Sequence, residues 1–73
     1  MAEPSREEIC AAIRRRLNAG DLPELEGNVF RVYDRVCQRR EPLEAVPAIF
    51  PAMTMEATQA AWETLRKWAE EEP

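Results

Sequence analysis

The stretch TMEATQAAWETLRKWAE, from Thr54 to Glu70, decides the fold of this chain of 73 residues. At ~100° per residue, its apolar side chains fall within one arc and its charged side chains fill the other. The apolar arc consists of Ala57, Thr58, Ala61, Trp62, Leu65, Trp68 and Ala69. Leu65 lies in the middle of this arc, and the two tryptophans lie at its edges. The pattern predicts an amphipathic helix over residues 55–70, capped by Thr54, that covers a core.

A second helix is predicted near the start of the chain, over residues 6–19. Ser5 and Glu8 have the spacing of a capping box, in which the serine hydroxyl accepts from the Glu8 amide and the glutamate reaches back. Gly20 can adopt the left-handed conformation that ends a helix. The apolar stripe of this helix consists of Ile9, Ile13 and Leu17, flanked by Cys10.

Residues 22–39 carry the remaining long apolar pattern. Its members share one arc and are Leu22, Leu25, Val29, Val32, Tyr33 and Val36. Because the phase is unbroken from end to end, we expect one helix that continues through Gly27, after an Asp21 cap with Pro23 in the first turn. A glycine inside a helix costs ~1 kcal/mol relative to alanine. The alternative is therefore a short turn that ends at Gly27 and a helix that begins at Asn28.

Residues 42–52 connect the second and third helices and contain three prolines, which exclude a long helix and favour one or two short helical turns. The connection is also apolar, so it either packs into the core or forms an exposed docking surface. We expect it to pack into the core. The fold class predicted for the whole chain is all-α, a single small domain with three main helices. Residues 1–4 and 71–73 are expected to fray.

The two cysteines are predicted to be reduced. In an antiparallel helical hairpin that turns near Gly20, Cys10 lies ~13 Å and Cys37 ~22 Å above the turn, at 1.5 Å per residue. This difference exceeds the ~7 Å limit on the Cα–Cα distance of a disulfide. Both thiols are then expected to act as small apolar side chains, with an intermolecular disulfide as the minor alternative.

The residue types present argue against enzymatic chemistry. The chain has no histidine, so neither a Ser-His nor a Cys-His pair is possible, and neither is a histidine-ligated metal. Two cysteines cannot by themselves complete a four-ligand zinc site, and two isolated glycines do not form a phosphate loop. We therefore expect a protein that is not an enzyme and has no cofactor, metal or small-molecule substrate.

Charge is unevenly distributed along the chain. Residues 1–40 hold eight arginines and seven acidic residues, whereas residues 41–73 hold two basic and seven acidic residues, giving about +1 and −5 from a total of −4. No apolar run approaches the ~18 residues needed to cross a bilayer. The N-terminal sequence is acidic and lacks the apolar segment of a secretory signal. The sequence therefore predicts no membrane contact and a cytoplasmic location.

A protein-interaction module is the function class that these features favour. Such a small regulator, inhibitor or subunit would bind a larger partner, or its own copy, through an apolar and acidic surface. Tryptophan and other aromatic residues at the border between core and surface are the usual anchors of protein interfaces. The candidate contact residues are Phe50, Met53, Glu56, Trp62 and Glu63. The competing interpretation is that these aromatic rings only fill the core.

The alternative function is a helix-turn-helix-like DNA-binding regulator. In it, helix 22–39 would approach a groove with Arg31, Arg35, Arg39 and Arg40. Asp34 lies between these arginines, and the acidic second half of the chain would repel phosphate. Residues 14–16 are three consecutive arginines, but they are spread around a helix and form no positive stripe. Nucleic acid is therefore an unfavoured partner.

Overall fold

A computed structural model of the chain describes residues 3–22 and 25–71. Every regular element within them is helical, which confirms the all-α class and the small helical bundle. The elements are α1 (Arg6–Asn18), α2 (Gly27–Val32) continued by a π-helical segment (Tyr33–Gln38), a 3-10 turn (Leu43–Ala45), α3 (Val46–Ile49) and α4 (Met55–Glu70). Of the residues expected to fray, 1–4 and 71–73, residues 3–4 and 71 lie outside the helices, and residues 1–2 and 72–73 are not among the described residues.

Helix α1 begins and ends with the signals that the sequence contains. The Ser5 hydroxyl accepts from the Glu8 amide at 3.1 Å. At the other end Gly20 has a φ of +68°, and its amide donates to the Leu17 carbonyl at 3.1 Å. The Asp21 amide donates to the Arg16 carbonyl at 2.9 Å, which completes a Schellman motif. The predicted helix 6–19 is therefore confirmed to within one residue.

Helix α4 has the predicted bounds and the predicted cap. The Thr54 hydroxyl accepts from the Ala57 amide at 3.0 Å. Leu65 is completely buried, and Trp62 is half-buried beside the core. Thr58 is also completely buried, and its hydroxyl donates to the Thr54 carbonyl at 2.8 Å, so this polar group keeps a hydrogen bond inside the core.

The predicted continuous helix over residues 22–39 is wrong at its start. Helix α2 begins at Gly27, which has a φ of +65°, and Glu26 before it is extended with φ −145° and ψ 172°. A positive φ is incompatible with a continuing right-handed helix. Leu22 and Leu25 still pack against the core, but from chain that is not helical. Because both side chains are directed at the core, their spacing in the sequence looks like that of a helix. The predicted Pro23 in the first turn lies outside the described residues.

The connection over residues 42–52 forms two short turns and contributes to the core, as predicted. Val46 is completely buried, and Met53 just beyond the connection is 3% exposed. Leu43 and Phe50 are half-buried and pack against the same cluster. The segment therefore fills core volume that the three main helices leave open.

The prediction of reduced cysteines is wrong, because Cys10 and Cys37 form a disulfide with a Cα–Cα distance of 5.3 Å. The error follows from the misplaced start of the second helix. At 1.5 Å per residue, Cys10 lies ~12 Å from the end of α1 and Cys37 ~15 Å from Gly27, so the two residues lie at nearly the same height. The bond joins α1 to the π-helical segment.

One hydrophobic core runs through the described residues, and α4 packs against both α1 and α2. Its buried members are Ile9, Cys10, Ile13, Val32, Tyr33, Val36, Cys37, Val46, Met53, Ala61 and Leu65. Among the described helices, none is long and apolar enough to span a membrane.

Candidate interaction surfaces

The outward face of α4 carries a line of acidic side chains. Glu56, Glu63 and Glu70 are spaced by seven residues, which places them on one side of the helix, and all three are exposed. Trp62 is half-buried at the margin of this face and packs against the core. We call Glu56, Trp62, Glu63 and Glu70 together the α4 face.

Arg66 is held at the edge of the α4 face by three carboxylates. Its guanidinium lies 3.3 Å from a Glu3 oxygen, 3.7 Å from Glu63 and 3.4 Å from Glu70. The charges of Glu3 and Glu63, together with the hydrogen bond to Glu70, raise the pKa of Arg66 above its usual value. One cation thus meets three carboxylates, and the α4 face stays acidic.

The five predicted contact residues differ from one another in how exposed they are. Glu56 and Glu63 are exposed and Trp62 is half-buried, all on α4. Met53 belongs to the core and offers a partner little surface. The ring of Phe50 lies below two guanidinium groups, with the Arg31 and Arg35 carbons 5.5 and 5.4 Å from its centroid.

Three of the four arginines assigned to DNA binding are bound to neighbouring side chains. Arg35 pairs with Glu41 at 3.1 Å and has only 21% of its side chain exposed. Arg39 pairs with Asp34 at 3.1 Å, and Arg31 donates to the Asn28 side chain at 3.1 Å. These contacts lower the positive charge that this part of the chain can offer to phosphate.

A basic cavity of about 360 Å³ lies against the disulfide. Its lining residues are Arg6, Glu7, Cys10, Arg14, Val36, Cys37 and Arg40. Arg6, Cys10 and Arg14 are spaced by four residues and therefore share one face of α1. Arg14 donates from its guanidinium to the backbone carbonyl of Cys37. The i, i+4, i+8 spacing of Arg6, Cys10 and Arg14 is visible in the sequence but was not used to predict a site on α1.

Two further features were not predicted. In residues 3–22 and 25–71, Phe30 is the one large apolar side chain that is exposed, at 48%. Its position at the edge of the apolar arc of residues 22–39 is the sequence feature that could have indicated this exposure.

Arg16 donates to the Trp68 carbonyl at 2.8 Å and pairs with Asp21 at 3.3 Å. It thus joins the end of α1 to the last turn of α4, which is a structural role.

Within the described part of the chain, no group of three or more cysteine, aspartate or glutamate side chains is arranged to hold a metal ion. No protein-family model, curated protein or solved structure matches this chain.

Proposed function

We propose that this chain is a protein-interaction module that binds a partner through the α4 face. The observation that carries the proposal is the line of Glu56, Glu63 and Glu70 beside the half-buried Trp62. An aromatic anchor next to charged groups that select the partner is a common arrangement in protein interfaces.

Trp62 is suited to the anchoring role because it is already ordered. One part of the indole packs against the core and the other part reaches the surface. Helix α4 is capped by Thr54 and contains the completely buried Leu65, so its backbone is fixed before a partner arrives. A preorganised side chain loses less conformational entropy on binding than a mobile one.

Charge indicates the chemistry of the partner. Residues 41–73 carry about −5. Within the part of the chain that the structure describes, Arg66 is the basic side chain of this half that forms ion pairs with carboxylates of the α4 face. We therefore propose a partner with a basic surface around an apolar pocket. Two copies of the α4 face would repel each other, which favours a different protein over a symmetric dimer through this face.

The DNA-binding alternative has less support. Of its four arginines, Arg35 and Arg39 are paired with carboxylates, and Arg31 and Arg35 lie over Phe50. The acidic α4 face would also repel the phosphate backbone of a DNA duplex. We also propose that the chain is not an enzyme.

The cytoplasmic location predicted from the sequence stays a proposal, and the Cys10–Cys37 disulfide weighs against it. Disulfides persist in oxidising compartments, whereas cytosolic disulfides are usually transient or catalytic. Host cells should be quenched in acid and their free thiols alkylated before lysis. Alkylation of Cys10 and Cys37 is expected for a cytoplasmic protein, and a fully protected pair would place it in an oxidising compartment.

The interaction proposal is tested with two variants of the α4 face and one matched control. Chemical cross-linking and mass spectrometry in the native host identify proteins joined to the wild-type chain. The best candidate is then purified and its dissociation constant is measured directly. Trp62→Ala and the double variant Glu56→Lys/Glu63→Lys are expected to weaken this binding at least tenfold. Glu44→Lys changes the charge of an exposed residue outside α4 and is expected to leave it unchanged.

Two results would contradict the proposal. The first is binding that is equally strong in the wild type and in both α4 variants, with their circular dichroism unchanged. The second is a Glu44→Lys variant that loses as much affinity as the α4 variants, which would indicate a response to net charge alone. Light scattering on the pure protein separates self-association from binding to another protein.

A further inference from the structure

We infer that the cavity beside the disulfide is a binding site for a small oxyanion, one with phosphate or carboxylate groups, held by Arg6, Arg14 and Arg40. This site lies outside the α4 face and concerns a ligand of a different class from the proposed protein partner. It also revises the expectation that the chain binds no small molecule.

The wall formed by α1 provides two of the three cations. Arg6 and Arg14 lie two helical turns apart on the same face, with Cys10 between them. Arg14 is oriented by its hydrogen bond to the Cys37 carbonyl. A guanidinium has five N–H donors, so Arg14 retains donors for a ligand after making this bond. Paired N–H groups of arginine match the geometry of carboxylate and phosphate oxygens.

Arg40 provides the third cation, and its backbone conformation is the most informative part of the site. Its φ is +56°, a value that is unfavourable for residues other than glycine and asparagine. The Glu41 amide donates to the Arg35 carbonyl at 2.9 Å, so Arg40 occupies the helix-ending position that Gly20 occupies after α1. Glycine would serve the backbone better there. An arginine at this position is accounted for when its side chain is used in the cavity.

The charges around the cavity are not balanced within the described residues. Its lining contains three arginines and one carboxylate, that of Glu7, which leaves an excess of two positive charges. In residues 3–22 and 25–71, neither Arg6 nor Arg40 forms an ion pair or a hydrogen bond through its side chain. A ligand with two negative charges would balance this excess. The volume of about 360 Å³ lies near the lower end of the ~300–1,000 Å³ typical of small-molecule sites.

The disulfide holds the two walls of the cavity together. Cys10 lies between Arg6 and Arg14 on α1, and Cys37 lies three residues before Arg40. The bond therefore fixes the backbone positions from which the three arginines extend, which lowers the entropic cost of binding.

The binding test uses the oxidised full chain with inorganic phosphate and with succinate as probes, at constant ionic strength set with sodium chloride. Backbone amide chemical shifts are followed by NMR during each titration. We expect saturable shifts confined to residues 6–14 and 36–41, and a melting temperature that rises with probe concentration. A response to phosphate alone indicates a phosphoryl ligand, and a response to succinate alone indicates a dicarboxylate.

The decisive variant is Arg40→Gly, because it removes the cation and at the same time replaces a residue with an unfavourable positive φ by one that adopts this φ readily. This variant is expected to be at least as stable as the wild type and to bind the probe at least about tenfold more weakly, as expected for the loss of one charge-assisted hydrogen-bonding partner. The matched control is Arg39→Ala, which removes the neighbouring charge but no lining residue and is expected to bind normally.

The inference is overturned by an absence of saturable shifts in the oxidised wild type. It is equally overturned when Arg39→Ala and Arg40→Gly lose the same affinity, because the probe is then only screening the net charge of the chain. Both measurements use the purified chain alone, so they do not depend on whether the α4 face binds a protein.

Discussion

Helix α4 and the segment from Gly27 to Gln38 differ in how their structure is specified. Helix α4 is regular over sixteen residues, with its cap and its buried face in the predicted places. The second segment is α-helical for six residues, then π-helical for six, and is bounded by Gly27 and Arg40, which both have positive φ. Local signals determine the first element, whereas a long-range covalent bond and core contacts shape the second.

The regular and the irregular element also contribute to different candidate sites. The π-helical conformation is rare, occurs mostly as short bulges and is frequent at functional sites. Here the π-helical segment contains Cys37 of the disulfide and ends two residues before Arg40, and its Val36 and Cys37 line the basic cavity. The regular α4 instead presents a fixed surface.

The largest effect is expected from truncation of α4 at its centre. Leu65 is completely buried, and Leu65→Ala should lower the free energy of unfolding by ~2–5 kcal/mol, because the truncation removes buried apolar contacts and leaves a cavity in the core. Urea denaturation followed by circular dichroism measures the loss. Gln59→Ala on the exposed side of the same helix is the control and should change stability little. Equal midpoints for Leu65→Ala and the wild type would mean that α4 buries a different face.

Opening the disulfide is expected to have the next largest effect, and mainly on the second segment. The cysteines are separated by 27 residues, for which loop-closure entropy gives a stabilisation of about 3.5 kcal/mol. Urea denaturation with and without a reductant measures this difference. The double variant Cys10→Ala/Cys37→Ala should resemble the reduced wild type in stability.

Hydrogen exchange locates the same effect in the chain. After reduction, amides of the π-helical segment should exchange faster than those of α4, because only the former lose a covalent tie to α1. Uniform acceleration in both elements would remove the distinction drawn between them. A midpoint independent of reductant would contradict the proposed contribution of the bond.

Removal of the α4 cap is expected to lower stability by less than either of these changes. Thr54→Ala deletes the hydroxyl that accepts from the Ala57 amide and should lower stability by ~1 kcal/mol. Thr54→Ser keeps that hydrogen bond and serves as the control in the same thermal melts. If both substitutions have the same effect, the cap does not specify the start of α4.

The elements that could be predicted from the sequence are those with signals close together in the chain. The Ser5 and Thr54 caps, the Gly20 stop and the apolar stripe around Leu65 each act within a few residues, and the structure contains all of them. The three prolines of the connection are equally local. Each of these features can be read without knowing where the rest of the chain lies.

The second segment could not be predicted in the same way, because its apolar phase does not distinguish a helix from non-helical chain that packs on the core. Leu22 and Leu25 belong to such chain, and the shift of the helix start to Gly27 is what brings Cys10 and Cys37 together. The basic cavity depends on that bond, so the cavity could not be predicted while the start of the second helix was misplaced. The charges and the tryptophan of the α4 face, by contrast, were visible in the helical pattern.

The smallest effects are expected at the two positions where helices end with a positive φ, and they should have opposite signs. Gly20→Ala places a Cβ on a backbone with φ +68°, and nothing lies within 4 Å of that Cβ, so the substitution measures the backbone cost alone. We expect a loss of ~1 kcal/mol in thermal or urea unfolding.

Arg40→Gly should raise stability by a similar ~1 kcal/mol, because it relieves a φ of +56° and removes repulsion from Arg6 and Arg14 across the cavity. Arg40→Ala separates these contributions, since it removes the charge and keeps the unfavourable backbone. If the backbone dominates, the alanine variant stays close to the wild type while the glycine variant gains stability. If repulsion dominates, both variants gain equally, and the gain shrinks as salt concentration rises. A loss of stability in Arg40→Gly would mean that the arginine side chain supports the fold itself, and the residue would then have a structural reason to occupy that position without any ligand.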